Sequence, residues 1–359
     1  MTQPSLECGS RVRSPYRSGR EIFFITLGCA VFLTLFTVWY QVKLMGLEWY
    51  EQVQWERTLR VMRGESGTPW QYRLFTESCV YGTVRLFEWL GLSRPVGMAF
   101  LTIRLVQNTV AFSLATLFYR RLGLTLEQAL LGAAFIAWGM CHGLYDGDFT
   151  FNTYTDISLF LTAGLLILAR RPRWLLLLML IAPFNRETSG CIPFMLLFAE
   201  MARHRTWRVD RDTWVIFAVT LAMWISIVGG LRLVYGILPY IVPTAGVKPI
   251  LPLLLFNLTW WRTWVFLFAT LGLLPLMAVA SWKRWPPELL GFFFAIAPIW
   301  FPLHFSLAHA PETRLFFVPQ IVLFVPGALL GLQYYGVPVA GLPMARPAKD
   351  STVGQSESS

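Results

Sequence analysis

The stretch PFNRETSG, residues 183–190, sets an amide and two full charges, Asn185, Arg186 and Glu187, between two apolar runs: RWLLLLMLIA at 173–182 and CIPFMLLFAE at 191–200. As helix, the run at 174–184 reaches roughly 17 Å and the run at 188–201 about 21 Å. The hydrocarbon of a bilayer is roughly 30 Å thick, so neither run crosses it. Both flanks, ARRPRW and ARHRTWRVD, are basic, and basic flanks stay on the cytoplasmic side. The two runs therefore rise and return. The triplet sits at the top of a short or re-entrant hairpin over 174–201, recessed below the outer surface. Pro183 and Pro193 suit broken helices. Irregular backbone at that depth survives only against protein or a watery cavity.

The rest of the chain supports a membrane setting. Apolar residues make up 55% of it and charged residues only 14%, against roughly 25% charged in soluble domains. This reads as an all-α, polytopic transmembrane helical bundle with about 9–11 membrane segments. They fall at 22–42, 96–118, 126–144, 155–169, the two hairpin arms, 213–235, 263–281, 288–303 and 314–334. Long alternating segments that would suggest a barrel are absent. The five Cys are scattered without a C-x-x-C pair, and the four His lack ligand spacing, which argues against a disulfide framework or a thiolate metal site.

The net charge of +10 gathers at segment ends, where it orients helices rather than binding nucleic acid. A cytoplasmic N-terminal segment, 1–21, places Arg120, Arg121, Arg170, Arg171, Arg173, Lys283 and Arg284 inside. Segment 76–94 carries Arg85 and Glu88 and reads as an amphipathic interfacial helix. The single transmembrane domain is 22–334, with an external loop at 46–77. The polar tail, 335–359, reads as disordered and cytoplasmic.

Ionisable groups inside a membrane are costly and functional by default. Arg186 is placed to meet a phosphate or carboxylate, with Glu187 orienting it and Asn185 beside it; the architectural alternative is an Arg–Glu pair that pins the hairpin to a neighbouring span. Arg73 closes loop 46–77 and Arg314 opens the last span. Each could serve the same anion or simply snorkel to the interface. Arg104 lies inside the second span. Arg232, close to an outer end, is expected to snorkel instead. Carboxylates come from the outer loops: Glu48 and Glu51 soon after span 1, Asp146 and Asp148 around a glycine, and Glu312. Asp146 and Asp148 could hold a divalent cation such as Mg or Mn, or form an ordinary Asp-Gly turn. Asp156 and Asn152 could be an N-cap pair for the fourth span.

A first external loop with an early acid, closed by the P-x-Q-Y-R-L pattern at 69–74, resembles the GT-C superfamily. TDISLF at 155–160, NRETS at 185–189 and ETRLFFVP at 312–319 look like bacterial membrane proteins of that type. The resemblance implies a glycosyltransferase of the bacterial inner membrane with a periplasmic active face. Its donor would be a polyprenyl-phosphate-linked sugar, its acceptor a glycan, lipid or protein. Glu48 would take the place of the first-loop catalytic acid, where many members carry Asp, with Glu51 and Asp146 as further catalytic candidates. Asp146 and Asp148 match a D-x-D element, and Arg186 and Arg314 would fall among the phosphate-facing cations. Arg73, by its place at the end of the loop, is a further candidate for the donor phosphate, with Asn185, Glu187, Asp148 and Glu312 in support. Competing readings are a small-molecule or lipid transporter, which broken helices suit, a membrane acyltransferase using His304 or His309, and a non-enzymatic assembly factor.

Overall fold

A computed structural model of the chain describes residues 19–144, 151–238 and 247–334. Asp146, Asp148, residues 1–18 and the tail from 335 lie outside the described residues. Every regular element described is helical. Helix α1 (Gly19–Met45) is apolar all round and leaves Phe23, Phe24, Phe32 and Trp39 exposed. Such a surface is unfavourable in water and suits lipid.

Beyond Gly46 the chain stays helical through Leu47–Trp49 and a π turn at Tyr50–Gln54 into α2 (Trp55–Arg63). Gly64 stops it with φ of 78°, a left-handed C-cap that costs glycine little because it has no Cβ. A 3-10 turn, Trp70–Tyr72, leads into α3 (Leu74–Trp89), followed by α4 (Pro95–Arg121). Next, α5 (Leu126–His142) opens on a capping box in which Thr125 and Gln128 satisfy each other's backbone N–H groups. Then come α6 (Phe151–Leu168), the hairpin pieces α7 (Leu175–Met179), α8 (Ala182–Asn185) and α9 (Cys191–His204), and α10 (Arg211–Tyr235). The remainder is α11 (Leu251–Thr259), α12 (Trp261–Leu271), α13 (Leu274–Ala280), α14 (Pro287–Leu307) and α15 (Thr313–Tyr334), the last with 3-10 and π turns in its first half.

Six of these helices, α1, α4, α6, α10, α14 and α15, are long and apolar enough to cross a membrane. The pair α11–α12, bent by 69°, would make a seventh if it forms one span. The nine to eleven segments expected from hydropathy include the two short hairpin arms, which are too short to cross. Of the full-length runs, those at 126–144 and 263–281 do not form one unbroken helix of span length, because apolar composition does not ensure an unbroken helix. The expected span at 263–281 is interrupted at Gly272, whose φ of 58° ends α12. Helix α5 has 17 residues, α9 has 14, and α7 and α8 have five and four.

Contacts sort the connections into two ends. At one end, Arg94 pairs with Glu51, Tyr72 Oη donates to Gly236 O at 2.7 Å, and Ile250 N donates to Ser306 O at 2.8 Å. At the other, Arg170 meets Glu200, Arg203 meets Glu288, and Arg284 lies over the Tyr334 ring. Helix α3 begins beside Arg73 and is followed by Arg94, so both its flanks lie at the first end. The centre is α15, 89% buried over its apolar window, whereas α10 is 17% buried and peripheral.

Helix α9 packs closely on α14. A Cβ on Gly291 would lie 2.5 Å from the Ala199 backbone, while one on Gly82 of α3 would meet nothing within 4 Å. Gly291→Ala is therefore expected to destabilise the protein by about 1–3 kcal/mol through overpacking, and Gly82→Ala to leave it unchanged or slightly firmer. Thermal unfolding in detergent of the two variants beside wild type checks the contrast.

Candidate functional site

The hairpin breaks where the sequence places its charges. Arg186 is extended, with φ −164° and ψ 142°, between α8 and a 3-10 turn at Glu187–Gly190. Asn185, Arg186 and Ser189 are all buried, so the irregular backbone rests against protein.

Asp156, fully buried on α6, holds the break together. Its carboxylate accepts from Asn185 Nδ2 at 2.8 Å, Arg186 Nη1 at 3.3 Å and Thr188 Oγ1 at 3.2 Å. Asn185 Nδ2 also donates to Asn152 O at 2.9 Å, and its Oδ1 accepts from Thr76 Oγ1 of α3. Thr155, next to Asp156, accepts from Gln107 Nε2 of α4 at 2.8 Å. One polar network thus joins α3, α4, α6 and the hairpin. Asp156 is no N-cap: it lies inside α6, which begins at Phe151.

Arg186 also lines a cavity of about 210 Å³. Arg73, Arg232 and Arg314 line it too, with Glu187, Glu312, His304 and His309. Glu187 Oε2 lies 3.6 Å from Arg73 Nε, so this carboxylate pairs with Arg73 while Asp156 pairs with Arg186. That corrects the expectation that Glu187 orients Arg186: the extended backbone at Arg186 sends consecutive side chains in different directions. The Glu187 carbonyl accepts from Trp224 Nε1 of α10 at 2.9 Å, which fixes the turn. Glu312 Oε2 meets Arg314 Nη2 at 2.5 Å.

The P-x-Q-Y-R-L stretch builds the cavity's loop wall. Gln71 Nε2 donates to Val61 O at 2.9 Å and its Oε1 accepts from Ser66 N at 2.9 Å, folding the loop onto α2. Tyr72 ties the loop to the end of α10, and Thr68, Pro69, Trp70 and Arg73 face the cavity. Asn257 of α11, fully buried, clamps the opposite loop through Phe305 O and Ala308 O, both at 2.8 Å, and Ala310 N at 3.1 Å.

Glu48 and Glu51 are not among the lining residues. Glu48 lines a separate pocket beside Arg94, and Glu51 holds the Arg94 guanidinium through contacts of 2.9 and 2.5 Å. Their expected role as acids next to the phosphate-facing arginines is therefore corrected: the helix after Gly46 directs them toward the start of α4. Arg104 is buried with its guanidinium 3.8 Å from the Tyr154 ring centroid and 4.5 Å from that of Phe151, outside the cavity lining. Arg232, expected to snorkel, lines the cavity instead, with Tyr72 under its guanidinium at 5.3 Å. Its signal was weak because a basic residue at a span end is ordinary. The signal for Asp156 was stronger, since an acid inside an apolar run is costly unless paired. Among the described residues no group of three or more His, Cys, Asp or Glu could hold a metal ion.

Compared with known proteins, the chain matches no family model, no curated protein and no solved structure.

Removing the charge of Asp156 leaves Arg186 buried without its counter-ion, a loss of about 3–5 kcal/mol for a broken buried pair. Asp156→Asn should unfold at markedly lower temperature, and the double variant Asp156→Asn, Arg186→Met should recover part of that loss. A double-mutant cycle by thermal or denaturant unfolding measures the coupling.

Proposed function

We propose that this protein is a membrane glycosyltransferase that takes its sugar from a polyprenyl-phosphate donor. The observation that carries this reading is four arginines on one cavity, Arg73, Arg186, Arg232 and Arg314, against two lining carboxylates, Glu187 and Glu312. Guanidinium forks match phosphate oxygens, and a surplus of them suits a site where negative charge grows on a leaving phosphate. The four stretches that carry the resemblance to the GT-C superfamily supply Arg73, Asp156, Arg186, Glu187 and Arg314, which meet at this cavity and its support.

A second, apolar cavity of about 770 Å³ lies along α11, α12 and α14. The same end of α14 borders both spaces: Leu303, His304 and Leu307 face the arginines, while Phe301, Pro302 and Phe305 line the apolar groove. This juxtaposition fits a lipid phosphate whose isoprenoid tail lies in the groove. Basic residues of the opposite end, by the positive-inside rule, favour a cytoplasmic position for that end and an outward-facing cavity in a bacterial inner membrane. The acceptor, whether glycan, lipid or protein, enters from that side.

In the reaction an acceptor hydroxyl attacks the anomeric carbon while the carbon–oxygen bond to phosphate breaks. The arginines stabilise the phosphate oxygens as they take up the departing electron pair. Purified protein, a panel of polyprenyl-phosphate sugars and mass spectrometry of released polyprenyl phosphate test the reading. Wild type should release lipid phosphate from at least one donor, and Arg186→Ala should lower the rate by about 100-fold or more. Absence of release from every donor, or an Arg186→Ala protein that matches wild type, overturns it.

A further inference from the structure

The transferase reading leaves open which group takes the acceptor's proton. Both carboxylates of the cavity are engaged by arginines: Glu187 by Arg73 at 3.6 Å and Glu312 by Arg314 at 2.5 Å. Glu48 and Glu51 lie elsewhere. His304 lines the same cavity with Arg73, Arg186 and Arg314.

The surroundings of His304 fix its ring. Nδ1 lies 2.8 Å from Trp300 O, and the imidazole stacks on the Trp300 indole with centroids 4.9 Å apart. Trp300 is itself fully buried, and its Nε1 donates to Leu315 O at 2.8 Å. A backbone carbonyl only accepts, so Nδ1 carries the hydrogen and the neutral ring keeps its lone pair on Nε2. With Nδ1 anchored to an acceptor, Nε2 is the nitrogen that takes up a proton, which is the arrangement of a general base.

We propose that His304, through Nε2, is the general base of the transfer; the proposal rests on the glycosyltransferase reading above. The acceptor O–H proton passes to Nε2 as the acceptor oxygen bonds to the anomeric carbon. The bond from that carbon to the phosphate oxygen breaks, and its electron pair leaves on the polyprenyl phosphate. The proton then moves from Nε2 to water or to the departing phosphate, restoring the neutral ring. Nothing is oxidised or reduced.

The experiment uses the full-length protein in detergent and whichever polyprenyl-phosphate sugar wild type turns over. His304→Gln should lower kcat by about 100-fold or more while donor KM stays within about threefold. Imidazole added to His304→Ala should restore part of the rate, a response that a structural role would not give. If both variants turn over within about threefold of wild type, or if kcat and donor binding fall together with no imidazole response, His304 is not the base and the transferase reading stands. A wild-type protein that releases no lipid phosphate from any donor removes both. Should neither variant purify folded, diethyl pyrocarbonate on wild type decides. Turnover lost in step with His304 carbethoxylation and recovered with hydroxylamine supports the base; turnover that survives full modification of His304 overturns it.

Discussion

A guanidinium and a carboxylate 3.3 Å apart, Arg186 and Asp156, sit where the hairpin loses its helical form. Their side chains are 2% and 0% exposed, so neither is relieved by water. Desolvating such ions costs several kcal/mol each, and the attraction offsets this only when other hydrogen bonds complete the geometry. Asn185 and Thr188 supply them to Asp156. The constraint is mutual: the chain must break at Arg186 for the guanidinium to reach α6, and α6 must present an acid for the break to stay buried.

The pair also explains why the cavity lies where it does. Beside the break, the cavity is walled by residues 68–70 and Arg73 of the loop, by α10 and α14, and by the connection into α15. Loop 46–77 arrives from α2 and is held by Gln71 and Tyr72. The connection between α14 and α15 arrives from the other side and is held by Asn257. Loop 46–77 contributes Arg73, the first turn of α15 contributes Arg314, and α10 adds Arg232. Four like charges share one lining because Glu187, Glu312 and the buried Asp156 stand among them.

Much of the fold was legible in the sequence for a simple reason: apolar length sets which runs can cross a bilayer. The first span, the short hairpin arms and the turn at Gly64 follow from length, basic flanks and glycine chemistry. Hydropathy read past the helix breaks, however. Residues 263–281 look like one span by composition, yet Gly272 takes a left-handed φ and divides them. Within the site, Arg186 was visible as a charge at improbable depth, and Arg73 and Arg314 as cations where outer connections meet the membrane. Glu48 and Glu51 stood out equally, yet their helix carries them to Arg94.

What the sequence determined by itself was that a charged break must exist at 185–187 and must be sheltered, because two half-length arms cannot place those residues in hydrocarbon unpaired. Which acid shelters Arg186 was decided only by tertiary structure. Glu187 is its chain neighbour, but the partner is Asp156, thirty residues away. An extended backbone separates adjacent side chains, whereas packing the hairpin against α6 brings distant ones together. The same holds for the cavity, whose lining comes from separate stretches that only the folded bundle makes neighbours.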